Sequence, residues 1–241
     1  MRALVLFALF LTLPSFAYAQ YRDPVFELNE DDSLLHISAT EQREVDQDLL
    51  IANLRFEIED KSNKVVQNEI NKAMADALKL AKSYSDVKAV TRSYNVHQYD
   101  KNRSKVSRTP DMFWKGSQTV ELKSKNADDV LELAGKIQER GFVISGLNYT
   151  LSPEVAAKIQ DEMLEAALEK LQNRAERAAK ALGKKTSILK EINTQGNYAP
   201  RPVARAWEGK AMASSMEMAA PVASPGETTL TMTVNAKAFL R

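Results

Sequence analysis

The stretch LIANLRFEIEDKSNKVVQNEINKAMADALKLAKSY, residues 50–84, decides the fold class, because its hydrophobic period changes from two residues to between three and four. Over residues 50–59, apolar side chains alternate with polar ones, which predicts a strand in a sheet with one solvated face. From residue 62, apolar side chains recur in steps of four and three, which predicts an amphipathic helix over 62–84. This stripe comprises Val66, Ile70, Ala73, Ala77, Leu80 and Tyr84.

The same strand and helix periods recur along the rest of the chain. Two further helices have recognisable ends. Asn126 is a good N-cap for the first, and Gly141 provides its C-terminal stop. The apolar residues of this helix are Val130, Leu133, Ala134 and Ile137, which we expect to be buried. The longest helix begins at Ser152-Pro153 and ends at Gly183, with proline in the first helical position. Its predicted buried stripe comprises Leu164, Leu168, Leu171, Ala175, Ala178 and Leu182. Alternation predicts the other strands over 35–40, 87–99, 113–123, 142–151, 184–194 and 229–240.

This order of elements predicts an α+β fold: a mainly antiparallel sheet with helices on one face. Segments 48–99 and 113–151 each run strand–helix–strand and are predicted to form split βαβ-like units. A long C-terminal helix and a terminal strand complete a single domain over 34–241. Segment 196–224 is rich in Ala, Pro, Ser and Met and has no periodicity, which predicts a flexible excursion.

The N-terminus has the pattern of a secretory signal peptide. Arg2 precedes an apolar run over 3–13, and Ala17-Tyr18-Ala19 supplies the small residues that signal peptidase requires. We expect cleavage after Ala19 and a location in the periplasm. The apolar run is shorter than the roughly 20 residues of a membrane span, so we expect no stable membrane insertion after cleavage. Residues 20–33 form a polar, acidic lead-in.

Composition restricts the function classes. The chain has 33 basic and 32 acidic residues, and loss of residues 1–19 removes only Arg2, which leaves a neutral mature chain. Nucleic-acid binding needs a basic surface, so we expect no nucleic-acid partner. The chain contains no cysteine, which excludes disulfides, thiol nucleophiles and thiolate metal sites.

Several short motifs follow one another in an order that resembles a known family. They are Trp114 with Gln118-x-Val120-x-Leu122, Gly141 with Ile144-Ser145-Gly146-Leu147, the alanine-rich helix from Ala166 to Gly183, and Pro225-Gly226-Glu227. Together they resemble the SIMPL-domain family, which includes bacterial periplasmic proteins, over residues 34–240. The resemblance implies an α+β domain that can form ring-like oligomers and an association with tolerance of oxidative and envelope stress. It implies no catalytic residue, ligand or cofactor.

Candidate ligand-binding residues are few. Met212, Met216 and Met218 lie close together in the excursion, and thioethers are soft ligands that suit Cu(I) or undergo reversible oxidation. The alternative is a loop that packs adaptably against a neighbour. His36 and His97 each lie on the polar face of a predicted strand, so we expect solvated side chains.

Charged clusters have similarly plain interpretations. Asp31-Asp32 lies in the lead-in and Asp128-Asp129 in the first turn of a helix, and neither has the alternating ligands and glycine of a calcium loop. Segment 101–108 carries four basic residues, which indicates either a solvated hairpin tip or a site for an anionic partner.

Three functions stay open at this point. The favoured one is a non-enzymatic periplasmic homo-oligomer that supports envelope or oxidative stress tolerance and needs no cofactor. The second is a periplasmic ligand- or metal-binding module that uses the methionine-rich loop. The third is a hydrolase, which the absence of a nucleophile–base motif disfavours.

Overall fold

The computed structural model describes residues 32–102, 109–195, 201–203 and 221–241. The predicted signal peptide, residues 1–19, and its cleavage site after Ala19 lie outside the described residues. Most of the lead-in, residues 20–33, lies outside them too. Strands and helices follow one another in the order β1 (Ser33–Asp46), β2 (Leu49–Asp60), α1 (Asn63–Ala81), β3 (Lys88–Asp100), β4 (Met112–Ser124), α2 (Ala127–Gln138), β5 (Val143–Thr150), α3 (Pro153–Ala181), β6 (Ser187–Gln195), β7 (Arg201–Val203) and β8 (Glu227–Leu240).

The predicted α+β class is confirmed, with the strands divided between two four-stranded antiparallel sheets. The central sheet consists of β2, β3, β4 and β5, and the terminal sheet consists of β1, β6, β7 and β8. Both predicted split βαβ units lie in the central sheet, whose order is β3-β4-β2-β5. In the unit β2-α1-β3, the strand β4 lies between β2 and β3 in the sheet. In the unit β4-α2-β5, the strand β2 lies between β4 and β5.

Helices α1 and α2 cover one face of the central sheet. The strand side chains that point towards the helices form the other half of the core. Leu50, Ala52 and Leu54 of β2 are buried beside Val120 and Leu122 of β4. The buried residues of α2 are the four that the sequence predicts: Val130, Leu133, Ala134 and Ile137.

The helix α3 covers one face of the terminal sheet with a stripe that matches the predicted one in part. Leu171 and Ala175 are buried as predicted. Of the other predicted positions, Leu164, Leu168 and Ala178 are half-buried against the same cores. Leu182 is 59% exposed. Small side chains let the helix lie close to Val234, Ala236 and Ala238 of β8. The buried positions of α3 are Ala156, Met163, Ala167, Leu171, Ala175 and Ala179.

Strand β8 is the centre of the terminal sheet. It pairs with β1 along all fourteen residues of both strands, from Ser33 opposite Leu240 to Asp46 opposite Glu227. On its other edge it pairs with β6 and with the short β7. Because β7 lies inside 196–224, the predicted excursion contains a paired strand that its composition does not indicate.

Two short connections join the sheets at one point. Residues 47–48 lead from β1 to β2, and residues 151–152 lead from β5 to α3. The Asp48 carboxylate accepts hydrogen bonds from the Ser152 backbone N–H at 2.6 Å and its hydroxyl at 2.7 Å. Ser152 in turn caps α3 by accepting from the N–H of Val155. We call this contact the junction, and it fixes the start of α3 beside the start of β2.

The described part of the chain holds no helix with both the length and the apolar character needed to cross a membrane.

A methyl group added at Gly116 of β4 should destabilise the protein. An ideal Cβ there would lie 2.4 Å from Val66 Cγ1 and 2.6 Å from Ile70 Cδ1, both on α1 and fully buried. We expect Gly116→Ala to lower the free energy of unfolding by about 1–3 kcal/mol, measured by urea denaturation. Gly146→Ala in β5 is the control, because its Cβ would meet only ordinary contacts at 3.5 Å and beyond. Equal stability of the two variants would contradict the close packing of α1.

Because of the junction, the free energy of unfolding should vary with pH in the acid range. Burial disfavours the charged Asp48 carboxylate, but the hydrogen bonds from Ser152 and the nearby Lys125 outweigh it and hold its pKa below the ordinary 3.8. This stabilisation is therefore complete above the ordinary pKa and is lost as the pH falls through the lower, folded-state pKa. We expect Asp48→Asn to cost about 1–2 kcal/mol at pH 7 and progressively less below pH ~4. Asp76→Asn, at an exposed position on α1, is the control; a pH-independent difference for Asp48→Asn would refute the assignment.

Candidate functional site

The helix-free face of the terminal sheet carries a polar cleft. Alternation along β1 directs Ile37 towards α3 and places His36 and Ser38 on the opposite face. The β1–β8 register then places His36 opposite Lys237 and Ser38 opposite Asn235. The cleft therefore brings together polar residues from distant parts of the chain.

A β-bulge in β6 forms the third wall of the cleft. Lys190 pairs with Lys237 and Asn193 pairs with Asn235, so β6 has one residue more than β8 over this interval. Glu191, at the bulge, has a φ of 48°, a left-handed conformation that is costly for a residue with a Cβ. The Glu191 carboxylate forms an ion pair with the ammonium group of Lys237.

The cleft is large enough for a small ligand and is suited to hydrogen bonding. Its volume is about 750 Å³, within the usual range of ligand pockets. The lining offers one cation, one carboxylate, an imidazole, hydroxyls and two amides, so donors and acceptors are balanced and the ion pair leaves little net charge. The lining residues are His36, Ile37, Ser38, Glu191, Ile192, Asn193, Thr194, Asn235, Ala236 and Lys237.

The arrangement in the cleft does not resemble a nucleophile activated by a base. His36 and Ser38 lie two residues apart on one strand, which separates their Cα atoms by about 6.6 Å. Within the described residues, no hydrogen bond joins their side chains. Hydrolytic catalysis of the serine–histidine type requires that bond and a third group to orient the base. His36 and Ser38 therefore do not form the nucleophile–base pair of that type of hydrolase.

The other candidate ligand residues do not converge on the cleft. His97 lies on β3 of the central sheet, exposed, with its Nδ1 3.3 Å from Asn95 Oδ1. Both histidines are solvent-exposed on sheet strands, as the sequence predicts. Met212, Met216 and Met218 lie outside the described residues. No group of three or more His, Asp or Glu side chains with metal-binding geometry occurs in the described ranges.

One residue of each acidic pair has a structural partner. The Asn126 side chain accepts from the N–H of Asp129, which confirms the predicted helix cap. Asp32 Oδ2 accepts from Arg241 Nε at 3.2 Å, at the end where β1 meets β8. Its neighbour Asp31 lies outside the described residues.

The base of the β3–β4 hairpin is closed, and Lys101, the one basic residue of segment 101–108 that the structure describes, is already paired. The Lys101 N–H donates to the Asp111 carbonyl at 2.9 Å, and the Lys101 ammonium lies 2.5 Å from Glu59 and 4.6 Å from the centre of the Phe113 ring. Hydrogen bonds from Lys101 and from Tyr99 hold the pKa of Glu59 below its ordinary value. The predicted hairpin is confirmed at residues 101–102, whereas 103–108 lie outside the described residues.

Sequence reasoning identified the strands of the cleft but not the cleft itself. Alternation predicts one face for Ile188 and Ile192, whereas the bulge between them changes the register. The bulge has one signal in the sequence. In Glu191-Ile192-Asn193-Thr194, two polar residues follow one another and the alternation breaks.

The comparisons with known proteins identify a family without an assigned activity. The family model described as SIMPL, protein of unknown function (DUF541), matches residues 35–238, which is most of the chain. No curated protein matches the chain significantly.

Solved structures share little with the chain. A putative amidohydrolase/peptidase from Burkholderia cenocepacia is 12% identical, with 60% of this chain and 34% of that chain covered and a TM-score of 0.24. The structure of AtUAH in complex with glyoxylate is 15% identical, with 51% of this chain and 34% of that chain covered and a TM-score of 0.24. The chain thus spans about a third of the length of these proteins, and scores this low carry no inference about fold or activity.

The left-handed backbone at Glu191 should be measurable as strain. Glu191→Gly and Glu191→Gln both remove the ion pair with Lys237, but only glycine adopts a positive φ without steric cost. We expect the glycine variant to be more stable than the glutamine variant by about 1 kcal/mol in urea unfolding. Ile192→Gly, compared with Ile192→Gln, is the control, because a neighbour without a positive φ should lose stability on becoming glycine. A glycine variant less stable than the glutamine variant at position 191 would show that the bulge is unstrained.

Proposed function

The chain belongs to the SIMPL family, and we propose that it is an exported periplasmic protein that self-assembles, acts by binding rather than catalysis, and supports tolerance of envelope or oxidative stress. The observation that carries the proposal is the apolar surface on the helix-free side of the terminal sheet. The stress-related part rests on the family resemblance.

Two large apolar side chains are exposed on this side of the sheet. Leu34 of β1 and Ile188 of β6 both pair with Phe239 of β8, and they are 41% and 42% exposed. Single exposed apolar residues are common on proteins, but apolar residues grouped on one sheet face are typical of an interface. We call these two residues the apolar rim.

The central sheet differs from the terminal sheet in the side chains on its helix-free face. Its helix-free face carries ion pairs between neighbouring side chains, such as Lys115 with Glu57 at 2.5 Å and Arg92 with Glu121 at 2.9 Å. Side chains that satisfy one another in this way are suited to contact with water. The contrast favours the terminal sheet as the assembling surface.

Binding rather than catalysis is favoured by the chemistry of the cleft. Its hydrogen-bonding groups are numerous, its net charge is small, and its histidine and serine are not joined. A turnover screen that found a reaction abolished by His36→Ala would overturn this part of the proposal.

Disrupting the apolar rim should reduce assembly and protection together. We expect the chain purified from the periplasm to give one discrete mass above that of the monomer in light scattering. Leu34→Asp and Ile188→Asp should each lower that mass, because a charge at an interface loses its hydration. The same variants should fail to restore peroxide survival in a strain that lacks the protein.

Val65→Asp is the matched control, since Val65 is equally exposed at 41% but lies on α1. It should keep both the mass and the protection, and circular dichroism should show that all variants are folded. A monomeric wild-type chain at every concentration would refute self-assembly. Full protection by a monomeric variant would refute the link between assembly and stress tolerance.

A further inference from the structure

The outer surface of α3 has its charges separated by sign along its length. From Pro153 to Glu169 the helix carries five acidic side chains and one basic one, whereas from Lys170 to Ala181 it carries four basic side chains and one acidic one. The opposite surface of the helix packs on β1, β6 and β8. The charged surface faces away from the described elements of the protein.

Some of these charges have partners within the chain. Glu162 pairs with Arg43 at 2.5 Å and Lys170 pairs with Glu41 at 2.5 Å, both on β1. Arg174 donates to the backbone carbonyl of Ser38. These contacts attach α3 to the terminal sheet and account for the charges at the edge of its buried face.

Five exposed charges on α3 have neither an ion-pair nor a hydrogen-bond partner among the described residues. They form an acidic row in the first half and a basic pair in the second half of the helix. We call them the acidic row, Asp161, Glu165 and Glu169, and the basic pair, Arg177 and Lys180.

The stability of α3 alone does not explain the acidic row. The helix dipole favours acidic side chains only within the first turn, and Asp161 is already two turns from Pro153. Members of the row are spaced four residues apart, so they are neighbours on one face and repel each other. An arrangement that is unfavourable within one chain is relieved when a positive surface lies over it.

We propose that α3 pairs with α3 of a second copy in antiparallel orientation, with the acidic row of each copy over the basic pair of the other. The partner is a second copy because the complementary charges lie on the same helix, and a two-fold axis brings both sets together twice. A parallel pair would instead place like charges together. This inference rests on the proposed self-assembly and adds an interface distinct from the apolar rim.

The positions of the charges locate the two-fold axis. The midpoint between Glu165 and Lys180 falls at Gln172 and Asn173, two exposed side chains without charge. Glu176 is the acidic exception in the second half, and it accepts a hydrogen bond from Gln172 at 3.1 Å. Because exposed ion pairs are individually weak and screened by salt, this contact depends strongly on ionic strength.

Charge reversal tests the pairing. Glu165→Lys/Glu169→Lys and Arg177→Glu/Lys180→Glu each place like charges opposite each other when two identical copies pair. At about 50 mM salt we expect each variant alone to show a mass about twofold lower than wild type, since a two-fold contact joins copies in pairs. An equimolar mixture of the two variants should restore the wild-type mass. Lys64→Glu/Lys79→Glu on α1 is the control for net charge, because both lysines are exposed away from α3.

Single cysteines test the orientation, since the chain has none of its own. A disulfide needs Cα atoms within about 7 Å. In the antiparallel pair, position 172 or 173 of one copy lies beside the same position of the second copy. Gln172→Cys or Asn173→Cys should therefore form a covalent dimer under mild oxidation. Lys158→Cys lies 14 residues from Gln172, so its two copies would be about 42 Å apart and should not link.

The outcomes separate this inference from the proposed function. A wild-type chain that is monomeric at low salt would overturn self-assembly and the α3 pairing together. An assembled wild type whose mass is unchanged by both reversals, or whose mixed variants fail to reassemble, would overturn the α3 pairing alone. Dimerisation through Lys158→Cys would overturn the antiparallel orientation. Thermal melting by circular dichroism confirms that each variant is folded before its mass is interpreted.

Discussion

The antiparallel pairing of β1 with β8 is the constraint on which the rest of the structure depends. The strands β1 and β8 are matched along their whole length, so the chain leaves the terminal sheet after Asp46 and must return to it, first through β6 and β7 and then through β8. The central sheet occupies this interval as a continuous insertion. Its entry and exit lie side by side because Asp48 holds Ser152, and Gln47 donates to the carbonyl of Gly226 just before β8 begins. A small number of hydrogen bonds thus fixes the point where two largely separate hydrophobic cores meet.

Local sequence signals account for the fold class and for most elements. The α2 stripe, the Asn126 cap and the split βαβ units follow from periodicity and capping alone. The division into two sheets does not, because alternation shows which face of a strand is buried and not which strand lies beside it. The α3 stripe matches only in part for a related reason. Leucines predict burial by hydrophobicity, but Leu164 and Leu168 are only half-buried. The sheet surface presents Val234, Ala236 and Ala238, and close approach there favours alanine.

The candidate site was less predictable than the fold. Exposure of His36 follows from its place in an alternating strand, but its position opposite Lys237 depends on a pairing across some two hundred residues. Glu191 reaches the cleft only because a bulge turns the backbone left-handed, and bulges are determined by the paired strands together. Met212, Met216 and Met218 lie outside the described residues, so their predicted role stays a prediction.

The pairing of the two chain ends also has a consequence for the order of folding. Residues 49–150 are contiguous and contain all the strands of the central sheet, so this part can fold before β8 reaches β1. Strand β1 precedes the central sheet in the chain, yet it finds its partner only when β8 is available. Loop closure over this distance costs the final stability little, since each doubling of length adds only about 0.6 kcal/mol, but it slows folding. Until then β1 is an unpaired strand of fourteen residues, which a chaperone must shield or which another nascent chain can capture.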